Sequence, residues 1–287
     1  MPNKYSGKWR KQAIAGLIFI LPSLAGVMAF VLLPFLDVLC QSFQGPVLRE
    51  WRGIENYRII FETSAFRLAA ANTLRFTAVC IPVLVGISLL LAVLLQNLPA
   101  HGRFLKSAFL VPMAIPAASV VLFWRVVFHE NGLWNAVLEK LGGTPEDWMN
   151  TGAAFWILVC SYIWKNLGYD IILWMAGLMG IPSGIYEAAR VDGAGRFQCF
   201  LKITLPNLRP MFYTITVLSL LNSFKVFREG YLVAGDYPDE SMYLLQHLFN
   251  NWFGKLEFEK ISSAAVLVVL VITCLILILK RVWEHEV

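Results

Sequence analysis

The sequence predicts an all-α integral membrane protein with six transmembrane helices. Of its 287 residues, 58% are hydrophobic and only 15% are charged, and the mean hydropathy is +0.63. Soluble domains carry roughly 25% charged residues, so this surplus of apolar side chains favours a lipid environment. A bilayer core of about 30 Å is crossed by about 20 apolar residues in a helix. Six segments meet this length, approximately 13–36, 74–96, 107–128, 153–179, 211–233 and 261–281.

The six predicted spans differ in how clearly their residues indicate a transmembrane helix. The first follows four basic residues and no acid, and its apolar run is too long for the core of a signal peptide. We therefore expect an uncleaved helix there. The fifth span is the weakest, because it contains Lys225, Arg228 and Glu229. The sixth is the strongest and is followed by Lys280 and Arg281.

The distribution of basic residues predicts that both termini face the cytoplasm. Short loops rich in Lys and Arg stay on the cytoplasmic side of a membrane. Half of the 24 basic residues lie in four such segments, 1–12, 97–106, 180–210 and 280–287. The predicted outer loops 129–152 and 234–260 are acidic, although the third, 40–73, contains four arginines. The predicted organisation is one transmembrane domain, residues 13–281, between the cytoplasmic segments 1–12 and 282–287.

Several function classes lack support in the sequence. Five scattered cysteines without a CxxC pair predict free thiols, with neither a disulfide framework nor a metal site. The net charge of +5 is spread along the chain and indicates no nucleic-acid surface. There is no GxxxxGK[ST] phosphate loop and no GxSxG or HExxH motif. We therefore predict no catalytic residue and no cofactor bound by this chain.

The longest predicted cytoplasmic loop, residues 182–210, separates spans four and five. Ser183 is suited to cap a helix over 184–191, and Asp192-Gly193 favours a turn. A second helix follows from Ala194, and Pro206 should end it.

The second helix of this loop carries an apolar stripe. Its members recur at i, i+3, i+4 and i+7 and are Phe197, Phe200, Leu201 and Thr204. From composition alone, the loop could rest on lipid headgroups or form a rigid docking element for a protein partner. Both interpretations stay open at this point.

The motif "EAARVDGAGRFQCFLKITLP" resembles that of permease subunits of ABC importers. It matches the pattern Glu-Ala-Ala, three residues, Gly, nine residues, Ile, one residue, Leu-Pro. The matching residues are Glu187, Ala188, Ala189, Gly193, Ile203, Leu205 and Pro206. Four further stretches resemble carbohydrate-uptake permeases of the maltose type. They are "FILPSLAGVMAFVLLPF", "NTLRFT", "FLVPMAIPAASVVLFWRVVF" and "SFKVFREGYLVAGDYPD".

The resemblance implies a role for the loop and a set of partners. In such permeases the loop forms coupling helices that sit in a cleft of a cytosolic ATPase. There Glu187 would meet a basic group, the alanines would allow close seating, and Gly193 would permit the turn. The implied partners are a cytosolic ATPase dimer that binds ATP and Mg, a second permease chain, an external binding protein and a sugar. The chain itself is expected in the inner membrane. Alternatively, Glu187 and Arg190 pair only with each other.

Polar residues at membrane depth are candidates for the cargo path, because they are costly there. Sugars bind hydrogen-bonding groups and aromatic faces together. The candidates are Trp164, Lys165, Asn166, Tyr169, Asp170, Asn222, Ser223 and Lys225. The resemblance supports Tyr169 and the Asn222–Ser223 region. Lys165 and Asp170 either pair between helices or bind an acidic or large sugar, and Lys225 either lines the path or extends to the outer interface.

Another class of transporter provides the alternative prediction. An ion-coupled secondary transporter could use Lys165 and Asp170 for its coupling ion. Such folds are commonly built from internal repeats, and the sequence has no evident one. A membrane enzyme would need paired catalytic groups, which the sequence does not offer.

Overall fold

The computed structural model describes residues 6–46, 49–96, 102–226, 231 and 238–284, without the side chains of 6–14, 102–106, 225 and 284. Regular structure in these residues is helical, apart from one antiparallel bridge between Gln44 and Trp51. The helices are α1 (Ser6–Val27), α2 (Leu33–Gln41), α3 (Glu55–Glu62), α4 (Ser64–Gln96), α5 (Gly102–Ala114), α6 (Ala117–Phe128), α7 (Leu133–Lys140), α8 (Ala153–Met179), α9 (Ser183–Val191), α10 (Arg196–Cys199), α11 (Leu205–Asn207), α12 (Arg209–Ser223), α13 (Leu245–Gly254) and α14 (Phe258–Glu284). Two π-helical turns, Met28–Leu32 and Phe200–Thr204, join α1 to α2 and α10 to α11.

Three helical stretches in the described residues are long and apolar enough to cross a membrane: Ala15–Gln41, Ser64–Gln96 and Phe258–Trp283. Two bent pairs raise this number to five if each pair counts as one span. The second stretch begins at Ser64, within residues expected to form an outer loop. All five cysteines are free thiols, as the sequence predicts.

The third predicted span is not one straight helix. Ser107–Ala114 and Ala117–Lys140 are bent by 95° relative to each other. Pro116 stands between them with φ −57° and ψ 143°, an extended conformation. Proline has no N–H to donate to the preceding turn and disfavours helical geometry in the residue before it. The expectation of a single helix over 107–128 was therefore wrong.

The fifth predicted span is described only in part. Helix α12 ends at Ser223 and is followed by a 3₁₀ turn, Phe224–Val226. Of the remainder of span 211–233, only Tyr231 belongs to the described residues. The described part, at 15 residues in α12, falls below the length of a spanning helix.

The chain divides into two compact units. The first comprises residues 1–62 and 252–271. In it, the turn after α2 is held by the buried Asn56 side chain, whose Nδ2 donates to the carbonyls of Ser42 (3.0 Å) and Gln44 (2.8 Å). Ser263 Oγ on α14 also donates to the Ser42 carbonyl, at 3.0 Å. These bonds satisfy the carbonyl of Ser42, the C-cap of α2, and that of Gln44 in the turn that follows.

The second unit comprises residues 63–251 and 272–287 and contains the main apolar core, between α4, α8 and α12. At its centre, Trp174 is fully buried and its Nε1 donates to Ser88 Oγ on α4 at 3.0 Å. Helix α8 also touches α5 directly: a Cβ added to Gly168 would overlap the carbonyl oxygen of Phe109. Small residues permit such close helix crossings in membranes.

Candidate functional site

The loop between α8 and α12 begins with helix α9. Pro182 is its N-cap, with φ −60° and ψ 133°, and Ser183 is already the first helical residue. No side chain caps the helix. The prediction that Ser183 is the cap was wrong, because proline itself supplies the extended conformation that an N-cap requires.

Helix α9 ends in a complete Schellman motif. The amide of Gly193 donates to the Arg190 carbonyl at 3.1 Å, and that of Ala194 donates to the Ala189 carbonyl at 2.9 Å. Gly193 has φ +81°, in the left-handed region that favours glycine. The expected turn at Asp192–Gly193 is therefore present, and Gly193 is required for it by its backbone conformation.

The second half of the loop continues past Pro206, contrary to the prediction. The amide of Leu205 donates to the carbonyl of Phe200, a π-type bond, and α11 then includes Pro206 in its first turn. Proline has no N–H to donate, yet the helical backbone continues through Pro206, and the amide of Leu208 donates to the Thr204 carbonyl at 3.0 Å.

The π turn also divides the predicted apolar stripe. Thr204 is buried, whereas Phe197 is 74% and Leu201 45% exposed. A π turn shifts the helical register, so spacing counted on an ideal α-helix no longer places these side chains on one face.

Contacts between the two halves give the loop a defined shape. The hydroxyls of Tyr186 on α9 and Thr204 share a hydrogen bond of 2.9 Å. A cavity of about 630 Å³ lies between these halves and the ends of α4 and α8. Glu187, Arg190 and Arg196 line it. One carboxylate and two guanidinium groups of the loop therefore border this cavity.

The motif residues lie mostly at the surface. Glu187, Ala188, Gly193 and Pro206 are exposed, and Ala189, Ile203 and Leu205 are half-buried. Within the described residues, Glu187 and Arg190 form no ion pair with each other. Large apolar side chains are exposed beside them, namely Ile185, Val191, Phe197 and Leu201. Such an apolar patch with charged neighbours is typical of an interaction surface.

A second polar cluster joins α8 to α12 inside the core. Asp170 is 2% exposed, and its Oδ2 accepts a hydrogen bond from Ser219 Oγ at 3.0 Å. The hydroxyl of Tyr162 donates to the Ser219 carbonyl at 2.8 Å. The structure thus gives Asp170 a partner on α12. Ser219 and Tyr162 were not among the residues predicted from the sequence, although Ser219 lies one helical turn before Ser223.

The other cargo-path candidates fall into different surroundings. Asn166 Nδ2 donates to the Tyr162 carbonyl at 2.8 Å, and Ser223 Oγ to the Leu220 carbonyl at 2.7 Å, each within its own helix. Tyr169, Lys165 and Asn222 are half-buried. The side chain of Lys225 lies outside the described residues.

Trp164 belongs to a separate aromatic group. Its ring lies 6.1 Å from that of Trp124 on α6, and the Trp124 Nε1 donates to Ser161 Oγ at 2.8 Å. Trp124 in turn stacks on Phe128 with ring centroids 5.5 Å apart. Two groups result. The α8–α12 set comprises Asp170, Ser219 and Tyr162 with the neighbouring candidates Tyr169 and Asn222. The α6–α8 aromatic set comprises Trp124, Phe128 and Trp164.

The fold is similar to that of a solved transporter subunit. A chain of a bacterial ABC transporter involved in the import of the acidic polysaccharide alginate superposes with a TM-score of 0.84. The two chains are 21% identical, and the match covers 98% of this chain and 99% of the other. The described helices therefore follow the fold of that transporter chain over nearly their whole length.

Curated relatives are more similar in sequence. The arabinooligosaccharides transport system permease protein AraP of Bacillus subtilis is 34% identical over 242 residues, covering 80% of this chain and 76% of AraP. The trehalose/maltose transport system permease protein MalF of Thermococcus litoralis is 29% identical, with 98% of both chains covered.

A family model also matches the chain. Residues 76–285 fit the model described as "Binding-protein-dependent transport system inner membrane component". This range contains the loop, the Asp170 cluster and most of the described helices. The chain therefore belongs to the family of inner-membrane components of binding-protein-dependent transport systems.

Proposed function

We propose that this chain is one permease subunit of an ATP-driven importer for a sugar or oligosaccharide, and that residues 182–210 couple it to a cytosolic ATPase. Membership of the family supports one part of this proposal, namely transport that depends on a binding protein. It also favours this function over the alternative prediction of an ion-coupled secondary transporter that uses Lys165 and Asp170.

The shape of the loop supports the coupling role. The Schellman turn at Gly193 and the bond between Tyr186 and Thr204 hold two helical segments at a fixed angle. Glu187 and Ala188 are exposed on the first segment, so a basic group of a partner has access to the carboxylate. A charge-assisted hydrogen bond of this kind contributes about 1.5–3 kcal/mol.

The complete transport cycle requires partners. A binding protein would deliver cargo to the outer loops, and closure of an ATPase dimer on ATP and Mg would move the coupling helices. This movement would rock the chain and a second, distinct permease chain between outward- and inward-facing states. Six spans with both termini in the cytoplasm would put residues 182–210 on the same side as the ATPase.

The relatives support carbohydrate as the cargo class. AraP and MalF are named for arabinooligosaccharides and for trehalose and maltose. We propose that cargo contacts the α8–α12 set, where the half-buried Tyr169 and Asn222 lie near the Asp170–Ser219 bond in sequence. Asp170 then positions the two helices, and the neighbouring side chains contact the sugar.

Removing the Glu187 carboxylate tests the coupling role. We expect Glu187→Gln to reduce cargo-dependent ATP hydrolysis and uptake by about tenfold or more, because a charge-assisted bond to the ATPase is lost. The measurement is uptake in cells, with the ATPase and second permease identified in a gentle detergent pull-down of the tagged chain.

A matched variant controls for the general effect of losing a carboxylate. Glu139 is exposed on α7, in a predicted outer loop apart from residues 182–210, and Glu139→Gln should leave recovery of the ATPase in the pull-down unchanged. Wild-type uptake by Glu187→Gln, or purification of the wild-type chain alone in an active state, would contradict the coupling proposal.

A second substitution tests the cargo path. Tyr169→Leu removes an aromatic face and a hydroxyl, and we expect it to raise the cargo concentration for half-maximal uptake by roughly tenfold, as one lost polar contact does. Trp156, on the same helix, is 53% exposed and outside both sets, so Trp156→Leu is the control. Equal effects of the two substitutions would argue against a path along α8 and α12.

A further inference from the structure

The loop between α6 and α8, residues 129–152, is held in one shape by a buried side chain. Asn135 on α7 is 2% exposed. Its Nδ2 donates to the carbonyls of Glu130 and Glu146, each at 2.8 Å, and its Oδ1 accepts from Trp148 Nε1 at 2.8 Å. These bonds tie the start and the end of the loop to the middle of α7. The orientation of α7 within the loop is therefore fixed.

The side of α7 away from Asn135 presents an apolar face. Four large apolar side chains there are exposed, namely Leu133, Trp134, Val137 and Leu141. Their spacing of i, i+1, i+4 and i+8 places them on one side of a helix. Trp134 also rests on Phe128 of α6, with ring centroids 6.4 Å apart. An exposed apolar face on a fixed helix is typical of an interaction surface.

The charges around this face are mostly negative. The loop contains one basic residue, Lys140, against four acids. The acids are Glu130, Glu139, Glu146 and Asp147. The formal net charge of the loop is therefore −3 with histidine neutral, or −2 if Arg125 at the end of α6 is included. Helices that lie in a membrane interface have Lys and Arg on their polar face instead. The loop therefore suits a protein partner with basic groups better than a lipid surface.

Neighbouring elements of the same unit do not reverse this charge. Arg75 of α4 lies over the ring of Phe155, near the start of α8, at 4.3 Å from its centroid. Asp239 and Glu240 belong to a turn whose Glu240 carbonyl accepts a hydrogen bond from Asn72 of α4. The basic side chain is thus accompanied by two further acids in the segments that follow the loop in space.

Helix α8 separates the α7 loop from residues 182–210. It runs from Ala153 to Met179. At about 1.5 Å per residue it is roughly 40 Å long, enough to cross a bilayer core of about 30 Å. The α7 loop precedes its first residue, and residues 182–210 follow its last. If residues 182–210 face the cytoplasm, α7 therefore faces the outside.

We propose that the apolar face of α7, with the acids around it, is the surface on which the external binding protein docks on this subunit. The family to which the chain belongs depends on a binding protein, and the proposed function places that protein outside the membrane. Trp134 provides the central apolar contact, and basic groups of the binding protein lie near Glu130 and Glu139. This inference rests on the proposed function, because α7 is external only if residues 182–210 are cytoplasmic.

The fixed shape of the loop gives this docking surface an energetic advantage. A surface that must become ordered on binding loses conformational entropy, which weakens the complex. Asn135 holds α7 in place through bonds within the loop. The apolar face is therefore ready to bind before the partner arrives.

Photocrosslinking in intact cells identifies what contacts this face. The photoreactive residue p-benzoylphenylalanine is placed at Val137, and the crosslinked products are identified by mass spectrometry. We expect a product with a solute-binding protein. The same residue placed at Leu221, which is exposed on α12, is the control and should give no such product.

The crosslinked binding protein, once purified, is the probe for affinity. It is titrated onto the whole importer in nanodiscs, and the concentration that gives half-maximal ATP hydrolysis is measured. Trp134→Ala should raise this concentration about tenfold or more, because tryptophan at the centre of an interface commonly contributes most to binding. The maximal rate and the recovery of the ATPase should stay as in wild type. Trp156→Ala, at a similarly exposed position on α8, should change none of these quantities.

Two further variants make the test specific. Val137→Asp puts a charge on the apolar face without altering the contact between Trp134 and Phe128, and it should act like Trp134→Ala. Glu139→Lys reverses one charge beside the face and should raise the half-maximal concentration about threefold at low salt. This difference should disappear at about 1 M salt, where the Debye length is about 3 Å.

Each other outcome overturns the inference. A product between Val137 and the second permease chain would make this face a contact within the permease pair, and products with lipid alone would place α7 in the membrane. Equal half-maximal concentrations for Trp134→Ala and Trp156→Ala would place docking elsewhere. Failure of the proposed function is recognised separately, because the wild-type chain would then recover no ATPase and show no hydrolysis that depends on the binding protein.

Discussion

Replacing Gly168 by Ala is expected to destabilise the permease by roughly 3 kcal/mol or more, at the upper end of overpacking effects. An added Cβ would overlap the backbone carbonyl of Phe109. Backbone atoms have no alternative rotamer, so α5 and α8 must separate. The measurement is the apparent melting temperature of the tagged chain in detergent, followed by size-exclusion chromatography. Both this temperature and the yield of monodisperse protein should fall clearly.

A second glycine provides the matched control. Gly86 lies inside α4, and a Cβ there would have no heavy atom within 4 Å. Alanine favours helix by about 1 kcal/mol over glycine, so Gly86→Ala should be neutral or slightly stabilising. A Gly168→Ala protein as stable as wild type would show that α5 does not cross α8 at this point.

Replacing Trp174 by Ala is expected to lower the free energy of unfolding by about 3–5 kcal/mol, as removal of a large aromatic side chain from a core does. The side chain is fully buried, donates to Ser88 at 3.0 Å and lies against Phe212. Its removal opens a cavity between α4, α8 and α12 and leaves the equally buried Ser88 without its donor. The same thermal assay in detergent measures the effect.

The control for Trp174 lies on the same helix. Trp156 is 53% exposed, with a ring contact to Phe155 at 5.3 Å, so Trp156→Ala should cost less than about 1 kcal/mol, as surface changes do. Trp174→Phe should be intermediate, because it keeps most of the volume and loses the donor. Similar melting temperatures for Trp174→Ala and Trp156→Ala would contradict the core described here.

Long apolar runs could be located from the sequence because hydropathy depends on composition alone. The segment 153–179 coincides with α8, which lies between Gly152 and Gly180, and 261–281 falls within α14. The turn at Asp192–Gly193 could also be predicted from the sequence, because glycine is favoured where φ is positive. These features are encoded within a few consecutive residues.

The positions where helices break or change register could not be predicted from the sequence in this way. Pro22, Pro82 and Pro112 lie inside helices, whereas Pro116 separates two of them. Residue type alone does not distinguish these cases, because neighbouring groups can compensate for the missing N–H in a membrane helix. The π turn at Phe200–Thr204 likewise had no signal in the spacing of apolar residues.

The candidate site likewise has a part that the sequence predicts and a part that only the structure shows. The motif from Glu187 to Pro206 is a continuous stretch, so its resemblance to that of ABC-importer permeases could be seen in the sequence. The partner of Asp170 could not, because Ser219 meets it only once the register between α8 and α12 is known. Periodicity within one helix gives the face of a residue but not the residue opposite it on another helix.

Burial is distributed unevenly along the chain. The most apolar part of Ala15–Gln41 has no buried residue in the described structure, whereas α8 buries residues from Ala154 to Leu178. A position without a packed neighbour in this chain needs an apolar side chain but no one shape. A buried position requires a particular size and shape. Within this chain, size and shape are therefore most narrowly constrained in α8 and the helices packed against it, and a neighbouring subunit would have the exposed face of the first helix available for contact.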